Sequence, residues 1–437
     1  MIAKLKTILS QMTSLKGWKI EQKEVYGYQL FFIKQHLDMN RAIHTNDYEV
    51  TLYKEHTIHG EALLGEAQCV LHPTMTEEEI QNKLSETEFL TSLSLNPSYE
   101  LVKKQVSKTG NREITFDEKS LKDLCFQIAD NIFEADKFDH GYVNSSEIYV
   151  FYEKNHFLNA LEQEFSYSKS YGQIDLVVTW KDHPNAEEIE LHRFYEFDAL
   201  KTDFIPSVVN HLLVEAKNRA IATKKGIEEK KIKVMMKEEA LKELFSYFVE
   251  KTCVDQIYNR YSDYHIGKEL YKQQATGDKL TITLEPILPS SSKNTIYDND
   301  GVSLKSLKII QQGKVQNLWG SNQKSQYLHF PVNGKYQNFV VEPGTLMDSE
   351  LNGISYLEII SLSDFSVDLL TGDFGSEIRF AYYHNKKGQV FPITGGSIVG
   401  NIEESLPTMK WSQKQMSLNN VKIPIYALLD KVNVFSK

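Results

Sequence analysis

Beyond Leu280 the sequence breaks into short runs of β-branched and aromatic residues, and the breaks carry Gly behind a polar residue. The runs are Leu280–Leu284, Gln337–Val341, Ser355–Ile360 and Glu377–Tyr383. Between them stand Asp298-Asn-Asp-Gly301, Gln312-Gly313, Val332-Asn-Gly334, Asn352-Gly353 and Asn385-Lys-Lys-Gly388. Glycine adopts positive φ without a Cβ clash, and Asn and Asp bond their own turn backbone, so this punctuation dictates tight turns between short strands. It predicts an antiparallel β-rich domain and rules out a helical bundle for that half.

The sequence before Leu280 has another texture. Ile2, Leu5, Leu9, Met12 and Leu15 recur at three and four, the period of an amphipathic helix. Lys4, Lys6, Ser10 and Gln11 interrupt any secretory h-region there. Tyr26–Ile33 and Tyr48–Tyr53 read as strands, and Thr76 or Thr74 caps a helix whose first turn is acidic. Asn96-Pro97 marks a turn. Helices are predicted at Asp117–Phe133 and Ser207–Thr223, strands at Glu147–Glu153 and Gln173–Trp180, and one long helix at Lys237–Tyr261. The charged, Gly-broken Lys224–Lys233 is the best boundary. The fold class is therefore α+β: an N-terminal mixed α/β region followed by a C-terminal antiparallel β-rich domain. The expected segments are 1–105, 106–223 ending in a linker helix, and 224–437.

With 437 residues the chain exceeds what one core serves, and 41% hydrophobic with 25% charged residues excludes disorder. A net charge of −10 argues against direct nucleic-acid binding, which needs surplus cation. The nearest approach to a membrane span, Val25–Ile33, is short and holds Gly27 and Gln29, so a soluble protein is expected. Cys69, Cys125 and Cys253 are odd in number and form no CxxC pair. They read as reduced thiols of a cytoplasmic protein.

Motif chemistry names no enzyme class. His211…Glu215 and His265…Glu269 are i,i+4 pairs that could share a metal, with His329 or His384 as further ligands, but helix surfaces offer such pairs by chance. There is no HExxH. The Asp298–Gly301 turn places its Gly two positions early for a calcium loop and is read as a turn with Gly301 at positive φ. Asp373-Phe374-Gly375 lacks the other parts of a kinase. Gly395-Gly-Ser-Ile-Val-Gly400 lacks dinucleotide spacing, and there is no Gly-x-Ser-x-Gly elbow.

The order of blocks in the second half resembles the TldD/PmbA family. Ile296-Tyr-Asp-Asn-Asp-Gly-Val302 and the Gly313-Lys-Val-Gln-Asn-Leu hairpin look like its Phe/Ile-Asp-Asp-Glu-Gly turn and Gly-x-Leu hairpin. Val341-Glu-Pro-Gly-Thr and Leu357-Glu-Ile-Ile follow, then Asp368-Leu-Leu-Thr-Gly-Asp-Phe-Gly375, similar to its Thr-Gly-Asp-Phe-Ser block. Gly388 to Asn401 resembles its Ile-x-Gly-Asn segment. The resemblance covers about residues 205–405, and Asn96-Pro-Ser-Tyr-Glu-Leu101 is the best match upstream. It implies a cytoplasmic metallopeptidase system named also as a modulator of DNA gyrase. In it a TldD-type subunit holds zinc through a His-Glu-x-x-x-His helix and a C-terminal Cys, and a TldE/PmbA-type subunit lacks the site. This chain has no His in Lys237–Tyr261 and no Cys after Cys253, so it resembles the second type. The expectations that follow are no catalytic or metal residue, no cofactor in this chain, a TldD-type zinc partner or a homodimer, and a peptide substrate. The rivals are an active hydrolase with a divergent metal site and a homodimeric binding protein. Asp298, Asp300, Gly301, Gly372, Asp373 and Phe374 are the family-motif positions, and their residue types equally suit turn building.

Overall fold

A computed structural model describes residues 1–105, 120–224, 232–271 and 275–435. The first half is one seven-stranded antiparallel sheet ordered β4-β3-β2-β1-β5-β6-β7. Its strands are β1 (Gly17–Ile33), β2 (His36–Ile58), β3 (Glu61–Leu71), β4 (Leu95–Pro97), β5 (Gly141–Asn159), β6 (Glu164–Trp180) and β7 (Ile189–Phe197). Four helices lie on one face: α1 (Ile2–Gln11), α2 (Glu77–Leu90), α3 (Leu121–Glu134) and α4 (Ile205–Ala220). Leu5, Leu9, Ile80 and Leu84 pack on Trp18, Ile20, Val50 and Leu52. Ile128, Ile132, Val209 and Leu213 pack on Ile148, Val150, Ile174 and Val178. The cap of α2 is Thr76, whose hydroxyl accepts from the Glu79 N–H while its own backbone N–H donates to the Glu79 carboxylate.

Three local expectations change. The sheet crosses the 105/106 division, since β1 and β5 are antiparallel neighbours from Lys19↔Asn159 to Ile33↔Ser145. Most of residues 154–172, between the strands expected at Glu147–Glu153 and Gln173–Trp180, is itself paired, so β5 and β6 run long. Asn96-Pro97 is part of the edge strand β4, where Pro is tolerated. Of the boundary at Lys224–Lys233, residues 225–231 lie outside the described residues, as do the first residues of the helix expected from Asp117.

The second half opens with β8 (Lys233–Lys237), α5 (Glu238–Lys251) and α6 (Val254–Tyr258). One continuous helix over Lys237–Tyr261 does not form. Cys253 is extended at φ −76°, ψ 126°. The Val254 N–H donates to the Trp319 carbonyl at 2.7 Å and Trp319 N–H donates to Thr252, so the chain exchanges helical bonds for a bridge.

Then follow β9 (Ile282–Glu285), β10 (Leu307–Gln311), β11 (Lys314–Val315), α7 (Asn322–Tyr327) and β12 (Asn338–Val341). Next come β13 (Tyr356–Leu362), β14 (Asp373–His384), β15 (Val390–Ile393), β16 (Ser397–Asn401) and α8 (Ile402–Ser405). The last strands are β17 (Lys410–Trp411), β18 (Gln415–Leu418), β19 (Val421–Pro424), β20 (Tyr426–Leu429) and β21 (Val432–Phe435). They build sheets ordered β11-β10-β9-β12-β19-β18 and β17-β20-β8-β13-β14-β16-β21, with β15 on β14. Most pairs are antiparallel, as the turn chemistry requires, but β12/β19 and β8/β13 are parallel. Leu241, Leu244, Phe245 and Phe248 of α5 sit in the core with Ile282, Val341, Leu357, Ile359 and Trp411. Among the described residues no helix is long and apolar enough to cross a membrane.

Candidate functional site at the start of α5

The two halves meet where β8 hands over to α5. Val234, Met235 and Met236 are buried, and Glu238 and Glu239 then face the positive helix terminus. Glu238 itself holds φ +47°, a left-handed conformation that costs a non-glycine residue of order 1–3 kcal/mol. The side of α5's first turn borders a cleft of about 370 Å³ between α4, β7 and the β18–β19 hairpin. Tyr195, Phe197, Phe204, Val208, Met416 and Leu418 make its walls, and His211 and Glu238 its polar groups. Asn419, at the hairpin tip, accepts from the Glu196 N–H at 2.9 Å and donates to Glu239 at 3.0 Å, which holds the hairpin across the seam.

Burial, and then Glu215, raise the pKa of Glu238. The hydrogen bond to Glu215 at 3.2 Å raises that of His211. Glu215 also meets Arg193 at 3.3 Å. Behind them Lys237 Nζ and His384 Nε2 both reach Glu358 at 2.8 Å. Burial would push Glu358 up, yet His384 and Lys237 hold it down at about 2. The His384 ring stacks on Tyr356 with centroids 4.2 Å apart. The cleft thus pairs a carboxyl and an imidazole whose pKa values are both raised, against aromatic walls. It can seat an apolar group and hydrogen-bond to polar atoms beside it.

The candidate metal ligands separate into different settings. His211 and Glu215 are bonded, with Arg193 on the same carboxylate. His265 Nδ1 instead faces the Asp263 carbonyl at 3.2 Å, and Glu269 pairs with Lys314 at 3.5 Å. His329 sits in the turn after α7 at φ +58°. Among the described residues no group of three His, Cys, Asp or Glu could hold a metal.

Asp298, Asp300 and Gly301 lie on the other seam, where the second half meets β1 and β5. Asp298 accepts N–H bonds from Asp300 at 2.9 Å, Val302 at 2.9 Å and Lys335 at 2.9 Å. A carboxylate so occupied by donors is a turn organiser. Asp300 accepts from Asn322 N–H at 3.2 Å. Gly301 has φ +85°, and a Cβ there would fall 2.7 Å from the Phe157 ring. Its carbonyl accepts from Gln163, Lys19 donates to the Asn299 carbonyl at 2.7 Å, and Tyr297 stacks on Phe165.

Gly372, Asp373 and Phe374 stand elsewhere. Gly372 turns at φ +77° and its carbonyl accepts from Ile402 N–H. Asp373 is exposed and accepts from Asn401 at 2.7 Å. Phe374 is buried opposite Gly400 on β16.

Residues 229–436 match the PmbA/TldA metallopeptidase C-terminal domain. That stretch, a little under half of the chain, is similar to the C-terminal domain of the TldD/PmbA family. The whole fold is shared with TldE from Thermococcus kodakarensis, at a TM-score of 0.80 and 14% identity over 99% of this chain and 100% of that one. A candidate modulator of a DNA gyrase from Thermotoga maritima MSB8 matches with TM-score 0.78 and 14% identity over 99% and 100%. A third, from Bacteroides thetaiotaomicron VPI-5482, gives 0.77 and 14% over 100% of both chains. A comparison with curated proteins gives no match.

The sequence alone puts no His next to Glu238; the fold brings His211 from α4. The acids of α5 are visible in the sequence, but their neighbours come from α4, β7 and β13. Only the helical period of α4, which sets His211 and Glu215 on one face, points toward the cleft.

Proposed function

We propose that this chain is a non-metal-binding, TldE/PmbA-type subunit of a cytoplasmic TldD/PmbA peptidase system. It would complete a peptide-processing chamber with a zinc-bearing TldD-type partner or with its own copy. The observation that carries this reading is the pair of ammonium groups at the start of α5. With the Glu of a His-Glu-x-x-x-His motif placed on Glu238, the two His positions fall on Lys237 and Lys242. Lys237 is bound to Glu358 at 2.8 Å and Lys242 to Glu239 at 3.2 Å. An ammonium has no lone pair for a metal and repels a divalent cation. These residues do not fit zinc, so the reading assigns zinc to the partner and none to this chain.

The helix-free face of the seven-stranded sheet supports a wall role. It carries Phe31 against Tyr149, Tyr149 against Phe151, and Phe151 against Tyr171. Beside them the buried Glu153 is held by Lys23 at 3.0 Å and Lys169 at 3.5 Å. Such a face offers stacking and ionic contacts to an unfolded peptide. A net charge of −10 makes any gyrase connection indirect.

The second reading is a hydrolase that acts alone, favoured by Glu238, His211 and Glu215 gathering around one cleft. The test is hydrolysis of a quenched-fluorescent peptide library by this chain alone and mixed with a zinc-bearing TldD-type relative from the same genome. Hydrolysis only in the mixture, with co-elution on size exclusion, is expected. Hydrolysis by the chain alone, lost in Glu238→Gln, would replace this reading with the second.

A further inference from the structure

Arginine is scarce in this chain: only six of the 49 basic residues are Arg. Two of them, Arg219 and Arg379, line the same cavity of about 460 Å³ at the seam between α4 and β14. They come from opposite halves of the molecule. Arg219 stands in the last turn of α4 and Arg379 on β14. Among the described residues neither guanidinium forms an ion pair within 4 Å. Arg219 donates one bond, to the Glu190 carbonyl at 3.2 Å, and its charge is disfavoured by burial first and then by Arg379, with Glu187 offsetting part of this. Lys224 lines the cavity as well.

The Gly395-Gly396 pair, at φ +82° and +86°, lines the cavity too. Gly395 N–H donates to the Ile378 carbonyl and Ile378 N–H donates to the Gly396 carbonyl, so the loop curls back beside Arg379. A Cβ on Gly395 would meet only Lys224 Cγ, at 4.0 Å, so the glycine leaves the cavity open as well as permitting the turn. Glu187 and Glu377 also line the cavity and are exposed; Asp182 accepts from the Trp180 indole N–H at 2.6 Å.

Guanidiniums brought together without a directly paired carboxylate, Glu187 acting on Arg219 only from a distance, are stabilised by an anion that both can chelate, and Arg forks match planar or tetrahedral oxyanions. We propose that this cavity is a binding site for a small oxyanion, a phosphate or a carboxylate, gripped between Arg219 and Arg379 with Lys224 at its edge. Because the two arginines come from different halves, the bound anion also ties the halves together.

The test is calorimetric titration and thermal melting of the full chain with inorganic phosphate and, separately, citrate, at one ionic strength set by chloride. One or both anions are expected to raise the melting temperature above the chloride control. Arg379→Gln, an exposed position, and Arg219→Gln are each expected to weaken binding at least about tenfold. A response to phosphate alone assigns a phosphorylated ligand, and a response to citrate alone a carboxylate. No response beyond chloride, or an undiminished response in Arg379→Gln, overturns the site.

Discussion

The three backbone bonds of Asp298 make a sharp prediction about stability and its pH dependence. Replacing Asp298 with Ala leaves the N–H groups of Asp300, Val302 and Lys335 without their acceptor inside a buried turn. At roughly 1–3 kcal/mol per stranded group, eased by relaxation, the loss is about 3–5 kcal/mol. Asp298→Asn keeps the acceptor for Asp300 and Val302 and loses that for Lys335, so about 1–2 kcal/mol is expected. The pH profile separates charge from geometry. Burial, and then Asp300, raise the carboxyl from 3.8 to about 6 in the folded chain. A folded pKa above the unfolded one gives stability that is full below the unfolded value and lost as pH rises through the folded value. From about pH 4 to above about 6, wild type should lose about 3 kcal/mol that Asp298→Asn does not lose. Urea unfolding followed by tryptophan fluorescence across that range reads the difference. A constant gap between wild type and Asp298→Asn, or an Asp298→Ala as stable as wild type, would refute the reasoning.

Other outcomes follow from the same structure. Glu358 sits at about 2 instead of 4.5, so its contribution, about 3 kcal/mol, is present above about pH 4.5 and lost as pH falls through about 2; Glu358→Gln should remove that acid-limb slope in melting experiments. Gly301→Ala meets both a positive φ and the Phe157 ring, and should lower the unfolding free energy by about 1–3 kcal/mol in urea titration. Burial pushes the Cys125 and Cys253 thiols up to about 12 and raises Cys69, so a thiol reagent at neutral pH should modify none of the three until denaturant is added. Thr76→Ala removes the α2 cap and should cost about 1 kcal/mol.

Much of the fold is written locally. The capping box at Thr76, the apolar stripes of α1 and α5, and the turns at Gly301, Gly313, Gly334, Gly353 and Gly388 all depend on residues near in sequence, and each glycine takes positive φ. What local pattern does not carry is partner choice. β2 runs on through His36–Asn46, a polar stretch with weak alternation, because β1 pairs with it residue by residue. The helix after Lys237 breaks at Cys253 because Trp319, distant in sequence, competes for its backbone. The parallel pairs β8/β13 and β12/β19 leave no turn signature, since their connections are long. The site was less legible for the same reason. Glu238, His211, Glu215 and Glu358 come from three separate segments, and the strained φ of Glu238 has no sequence marker. Asp298 and Gly301 are visible as a turn, but not as part of the contact between the two halves.

The most direct test of the central claim is metal content by elemental analysis of the untagged, dialysed chain. Well under about 0.1 zinc per chain is expected, because the ammonium groups of Lys237 and Lys242 offer a metal no lone pair. About one zinc per chain, lost in His211→Ala, would contradict it and move the chemistry into this subunit.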